Sequence, residues 1–122
     1  MDGRKTLAAA GVLLALATVL GAFGAHALKG HLSPDRLQVY ETAVRYHFLH
    51  TLGLLAIGVL LRNVDSSLLR LSAVLVIVGI VLFSGSLYGL TFGGPRALGI
   101  VTPLGGLALI VGWLVFAAAL WR

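Results

Sequence analysis

The stretch from Leu7 to Ala25, LAAAGVLLALATVLGAFGA, runs nineteen residues without a charge. As a helix rising ~1.5 Å per residue it matches the ~30 Å hydrocarbon layer of a bilayer. Three further apolar stretches of similar length follow it, so spans are expected at about 7–27, 40–61, 68–90 and 99–121. Short polar turns separate them: 29–33, 62–67 and 91–96. The expectation is one all-α domain over residues 1–122, an integral membrane four-helix bundle.

Composition agrees. The chain is 59% hydrophobic and 11% charged, against about 25% charged for a soluble domain. A soluble chain of this length could not bury so much apolar surface, so the excess faces lipid. The net charge of +5 invites a nucleic-acid reading. The basic residues are instead scattered over termini and turns with no interleaved aromatics, which excludes nucleic acid as a partner and suits lipid headgroups. The lack of cysteine rules out disulfides, thiolate metal sites and a lipoprotein anchor. Ala25-His26-Ala27 has the small-x-small form of a signal-peptide cleavage site, but the apolar run is longer than a signal core and the rest of the chain is equally membrane-like.

Within the first span Ala8, Gly11, Ala15, Thr18, Ala22 and Ala25 recur by threes and fours, a small-residue seam suited to close helix contact. Ser33-Pro34-Asp35 reads as N-cap, first-turn proline and first-turn acid, and nothing breaks a helix from Pro34 to Leu61. At ~42 Å it would exceed the hydrocarbon, so its first two turns, as far as Glu41, belong at headgroup level. Gly85 and Gly89 form a small-xxx-small pair on the third span. The fourth span starts at about Gly99, or at Pro103 with Thr102 as cap, and Trp121 and Arg122 suit an interfacial anchor.

Four spans put both termini on one side with Arg4, Lys5, Arg62, Arg70 and Arg122. Lys29, Arg36, Arg45 and Arg96 lie on the other. This slender excess favours cytoplasmic termini. The same threading gathers His26, Tyr40, Glu41, Arg45, His47, His50, Thr51, Ser84, Tyr88 and Thr91 into the leaflet opposite the termini, a candidate polar pocket drawn from three spans. Helical phase at 100° per residue puts Tyr40, Val44, His47 and Thr51 on one face, with His50 beside it, and Glu41, Arg45, Phe48 and Leu52 on another. Glu41 and Arg45 stand four apart in the favourable order for an intrahelical pair. They read either as an ion pair anchoring the helix or as a polar lining.

His47 and His50, three apart, could converge on a metal with His26. No carboxylate shares their face, however, and a zinc site needs a third firm ligand. The plainer reading has them hydrogen-bonded across helices to Ser84, Tyr88 or backbone carbonyls. His31 falls in a loop, where it is solvated. Ser84, Tyr88 and Thr91 form one polar stripe. A hydrolase triad and a phosphate loop are both excluded, for want of an acid beside the histidines and of a glycine-rich strand-to-helix turn. No metal and no cofactor is called for, and nothing in the sequence marks an enzyme.

Four segments, GAFGAHAL at 21–28, YETAVRYHFLH at 40–50, LFSGSLY at 82–88 and TPLGGL at 102–107, resemble the YgdD/YwdK-like family of small bacterial membrane proteins, which has a mitochondrial relative in animals. The resemblance covers about Gly11 to Leu120. It implies a four-helix, multi-pass protein of the bacterial inner membrane with an uncleaved first span, and no established activity. It places His26, Glu41, Arg45, His50, Ser84 and Tyr88 at motif positions. Where this chain has His47 the family motif commonly has glutamine, a hydrogen-bonding residue and a poor metal ligand. The expected partners are the lipid bilayer and further copies of the chain or another membrane protein. The leading functional expectation is a pocket for a lipid headgroup, a small solute or a membrane partner. The first rival is a small oligomeric transporter or channel, which would have to use Glu41 because the first span has no acid. A histidine-metal membrane enzyme is the third.

Overall fold

In a computed structural model the chain, described over residues 1–121, forms four long helices. α1 covers Gly3–Phe23 and runs on into a π-helical turn, Gly24–Leu28. α2 covers Pro34–Leu61, α3 Ser67–Thr91 and α4 Leu98–Leu120. All four are long and apolar enough to cross a membrane. The protein is therefore an all-α membrane four-helix bundle.

Most helix ends carry the signals expected of them. Asp2 Oδ1 accepts the Lys5 N–H at 2.8 Å, and that bond holds the Asp2 carboxyl below its usual range. Ser33 Oγ accepts the Arg36 N–H, with Pro34 in the first turn. Ser66 caps α3 through the Leu69 N–H. After α3 the chain closes through Gly93 in the left-handed region (φ 83°). Gly93 N–H reaches the Leu90 carbonyl and Gly94 N–H the Gly89 carbonyl, so two orphan carbonyls are satisfied before the turn. α4 follows the first of its two expected starts. It starts at Leu98, and Pro103 lies inside it. The missing Pro103 N–H leaves free only the carbonyl of exposed Gly99, so the break is tolerated at the membrane edge. Trp121 is exposed, and Arg122 lies outside the described residues.

The helices pack chiefly in chain order: α1 on α2, α2 on α3, α3 on α4. The apolar centre joins Ala10 of α1, Leu54 and Ile57 of α2, Ala73, Val76 and Ile80 of α3, and Leu109 of α4. Lipid tails are as apolar as these side chains, so helix association depends on close packing, and glycines set where it occurs. A Cβ at Gly105 would stand 2.7 Å from the Phe83 Cα, and one at Gly79 2.6 Å from Leu109 Cγ. A Cβ at Gly3 would stand 2.8 Å from the Gly58 carbonyl oxygen.

These contacts revise two expectations. The seam Ala8, Gly11, Ala15, Thr18, Ala22 and Ala25 is exposed along its whole length, and α1 instead buries Gly3, Thr6, Ala10 and Ala17. Both stripes are small, and the fit of Gly3 on the α2 backbone selects the second. Likewise a Cβ at Gly85 would meet nothing within 4 Å, whereas one at Gly89 would stand 2.6 Å from Leu98 Cδ1 of α4, so only Gly89 of the expected pair makes a close contact. The tight α3–α4 seam is Gly79, Gly105 and Gly112. Replacing Gly105 by Ala should therefore part α3 from α4 and cost about 1–3 kcal/mol, read as a lower unfolding midpoint in detergent. Gly85→Ala should leave the midpoint unchanged or slightly raised, and equal losses at both positions would contradict this packing.

Candidate functional site

The polar side chains of the leaflet opposite the termini divide into three groups, each with different partners. The first is an inner network. His47 is 4% exposed, and its Nδ1 shares a 2.8 Å hydrogen bond with the Tyr88 hydroxyl of α3. Ser84 Oγ donates across the same seam to the Ala43 carbonyl at 2.8 Å. Thr51 and Thr91 are fully buried and donate back to the carbonyls of His47 and Leu87. Tyr40, 1% exposed, spans the other seam, its hydroxyl donating to the Leu20 carbonyl of α1 at 2.5 Å. Its ring packs 5.6 Å from that of Tyr88 and edge-on to Phe92 at 6.0 Å. The only buried polar side-chain atom without a partner among the described residues is His47 Nε2.

Tyr40 also shapes α1. Its ring lies so close to Gly24 that a Cβ there would sit 2.6 Å from Tyr40 Cε2. The π turn begins at that residue, one helical turn after Leu20, whose carbonyl Tyr40 takes. Side chains that insert against a helical ladder commonly coincide with such turns. Ala25, His26 and Ala27 are all exposed on it.

The second group is open. Lys29, Glu41 and Arg45 line a groove of about 400 Å³ between α1 and the first half of α2, with Gly21, Gly24, Leu37, Tyr40 and Val44 beneath. Glu41 and Arg45 are exposed. The only ion pair within 4.0 Å among the described residues is Arg70–Asp65 at the opposite end, so the expected Glu41–Arg45 pair is not formed. The two side chains share a helix face as their spacing implies, and that face borders the groove.

His50 belongs to neither. It turns to α4, where its Nδ1 accepts the Trp113 Nε1–H at 2.9 Å, and its ring lies against Tyr46 at 5.8 Å. His47 and His50 thus engage different helices through their Nδ1 atoms. Among the described residues no group of three histidines or carboxylates converges as a metal site would require. His26 is exposed and lines none of these features. Sequence reading missed Trp113 and Lys29. Trp113 was visible as the one aromatic with a polar tip inside the fourth span. The fit of Trp113 over Gly53, where a Cβ would overlap its indole, was visible only in the folded chain.

The model of a family described as "Protein of unknown function (DUF423)" matches residues 20–106. The UPF0382 membrane protein of Staphylococcus epidermidis is 44% identical over 93% of this chain and 90% of its own length. UPF0382 membrane protein YwdK of Bacillus subtilis is 44% identical over 85% of each chain. UPF0382 inner membrane protein YgdD of Escherichia coli is 35% identical over 93% of this chain and 86% of its own. No solved structure matches. A matched segment that runs from the end of α1 through the Gly105 contact, together with relatives aligned over nearly their full length, shows that this chain belongs to the DUF423 (UPF0382) family of multi-pass membrane proteins.

Proposed function

We propose that this protein holds a phospholipid headgroup in the α1–α2 groove, in the leaflet opposite its termini. The observation that carries the reading is the open groove in which Lys29, Glu41 and Arg45 stand, without an ion-pair partner among the described residues, above an apolar floor. Glu41 is seven residues into α2, about 10 Å along it, at the depth of headgroups. Two cations and one carboxylate match a phosphate carrying an amine. Gly21 and Val44 leave apolar space below for the start of an acyl chain. By contrast the inner network is hydrogen-bonded within the protein at every buried polar side-chain atom except His47 Nε2, which supports a structural role for Tyr40, His47, Thr51, Ser84, Tyr88 and Thr91. A small solute or a membrane partner would meet the same charges, but headgroups are always present at that depth. Proton-coupled transport of the kind small exporters perform would require an embedded acid, and Glu41 lies shallow and outward.

We assign the protein to the bacterial inner membrane with both termini cytoplasmic, from the basic bias beside the termini and the description of YgdD as an inner membrane protein. That orientation puts the groove in the outer leaflet.

Each part has its own readout. In native mass spectrometry of protein loaded with phosphatidylethanolamine, the Lys29→Ala/Arg45→Ala double variant should retain lipid roughly twentyfold more weakly, since each basic residue near a headgroup contributes about a factor of five. Unchanged retention would refute the groove. Glu41→Gln should erase a preference for phosphatidylethanolamine over phosphatidylglycerol. Tyr88→Phe should lower stability by about 1 kcal/mol and leave lipid retention intact, whereas lost retention would mean that the inner network belongs to the site. A C-terminal green fluorescent protein fusion should fluoresce while an alkaline phosphatase fusion stays silent, and the reverse would move the groove to the inner leaflet.

A further inference from the structure

A second cavity, of about 370 Å³, lies on the other side of α2 from the headgroup groove, between α2, α3 and α4. Its walls are the rings of Tyr46, Phe83 and Trp113, and Gly106 and Ile110 of α4 and the imidazole of His50 also line it. His50 is sixteen residues past the start of α2 and eleven short of its end, about 24 Å and 16 Å along the helix, so the cavity sits in the middle of the bilayer. Tyr46 and Ile110 are exposed on the lipid-facing surface, and the cavity opens there. Whatever enters it comes from the hydrocarbon.

The chemistry of the cavity follows from one hydrogen bond. An indole N–H only donates, so the bond from Trp113 Nε1 makes His50 Nδ1 the acceptor. A neutral imidazole with an acceptor Nδ1 carries its proton on Nε2. That Nε2–H has no partner among the described residues and, unlike His47 Nε2, is not sealed from the surface. In water a free N–H is ordinary, but in hydrocarbon it is an unmet donor. Gly53 secures the arrangement, because any side chain there would displace the Trp113 ring that orients His50. Gly106 keeps the floor open: a Cβ at that position would meet only Phe83, at 3.7 Å.

We propose that this cavity binds a membrane-dissolved quinone by its head ring, with one carbonyl oxygen accepting the His50 Nε2–H. The aromatic walls offer stacking faces for a flat ring. The oriented His50 Nε2–H, with the Tyr46 hydroxyl as a second donor on the rim, selects an acceptor-bearing molecule over a plain hydrocarbon chain, and the mid-bilayer mouth suits a ligand whose tail stays in lipid. The site is separate from the headgroup groove in residues and in depth, so either can fail without the other.

Trp113 is itself a wall of the cavity and reports on it. In a Trp121→Phe background, full-length protein in phosphatidylcholine nanodiscs is titrated with decylubiquinone while Trp113 fluorescence is followed. Saturable quenching is expected. His50→Phe keeps a ring of similar shape without the donor and should weaken the apparent affinity about three- to tenfold. Gly106→Leu, which fills the cavity from an uncrowded position, should abolish saturation, and each variant's fold is checked by its unfolding midpoint and helical circular dichroism. With 15N-histidine protein the His50 Nε2 resonance should shift on quinone addition. Quenching that is linear in quinone without saturation would overturn the proposal. So would undiminished affinity in a folded His50→Phe variant, equal competition by decylbenzene, which marks an acyl-chain groove, or binding that emerges only when a dimer covering the cavity is dissociated.

Discussion

Hydrocarbon cannot hydrogen-bond, and most of this structure is arranged around that fact. A polar side chain placed among lipid tails must find its partner inside the protein or reach the headgroups. Thr18, Thr42, Thr51 and Thr91 meet the requirement locally by donating to the carbonyl four residues earlier. Ser84 and Tyr40 meet it across helix seams, as does His47 through Nδ1 though not through Nε2. Their bonds therefore also fix the rotation of α1, α2 and α3 about one another, which apolar contact with lipid-like side chains would leave loosely set. Lys29, Glu41 and Arg45 meet it by lying at the edge, beside an open groove.

Glycine supplies the second constraint. Backbones come close at Gly3, Gly79 and Gly105, while Gly24 makes room for the Tyr40 ring. Tyr40 shows how the two constraints combine. Its hydroxyl takes the Leu20 carbonyl, its ring fills the space above Gly24, and the π turn at that residue carries α1 out toward the loop that presents Lys29. The groove thus exists because a bulky aromatic is locked beneath it. On the opposite side Trp113 over Gly53 plays the corresponding part for His50.

The four helices were legible because hydrophobic runs and caps are local signals. Ser33-Pro34-Asp35 began α2 as read, and the spans differ from the helices by only a few residues except at the start of α2, whose first turns had already been placed at headgroup level. Phase within α2 was legible too: Tyr40, His47 and Thr51 are buried and Glu41, Arg45 and Leu52 exposed. The choice between two small-residue stripes on α1 was not legible, because Ala8, Gly11 and Ala15 look as suitable as Gly3, Thr6 and Ala10 until the α2 backbone is brought against them. Nor was the direction of His50. It lies beside the His47 face, and a rotation of that size separates a helix facing Tyr88 from one facing Trp113.

The sequence by itself determined that this chain is a membrane bundle of four helices, and that its polar residues collect toward one leaflet, because length, hydropathy and alternation of spans need no knowledge of neighbours. Only the tertiary structure decided which of those residues are consumed and which are left over. Satisfaction of a hydrogen bond depends on what stands opposite, and Tyr88 opposite His47, Trp113 opposite His50 and open space beside Glu41 and Arg45 are facts about packing between helices.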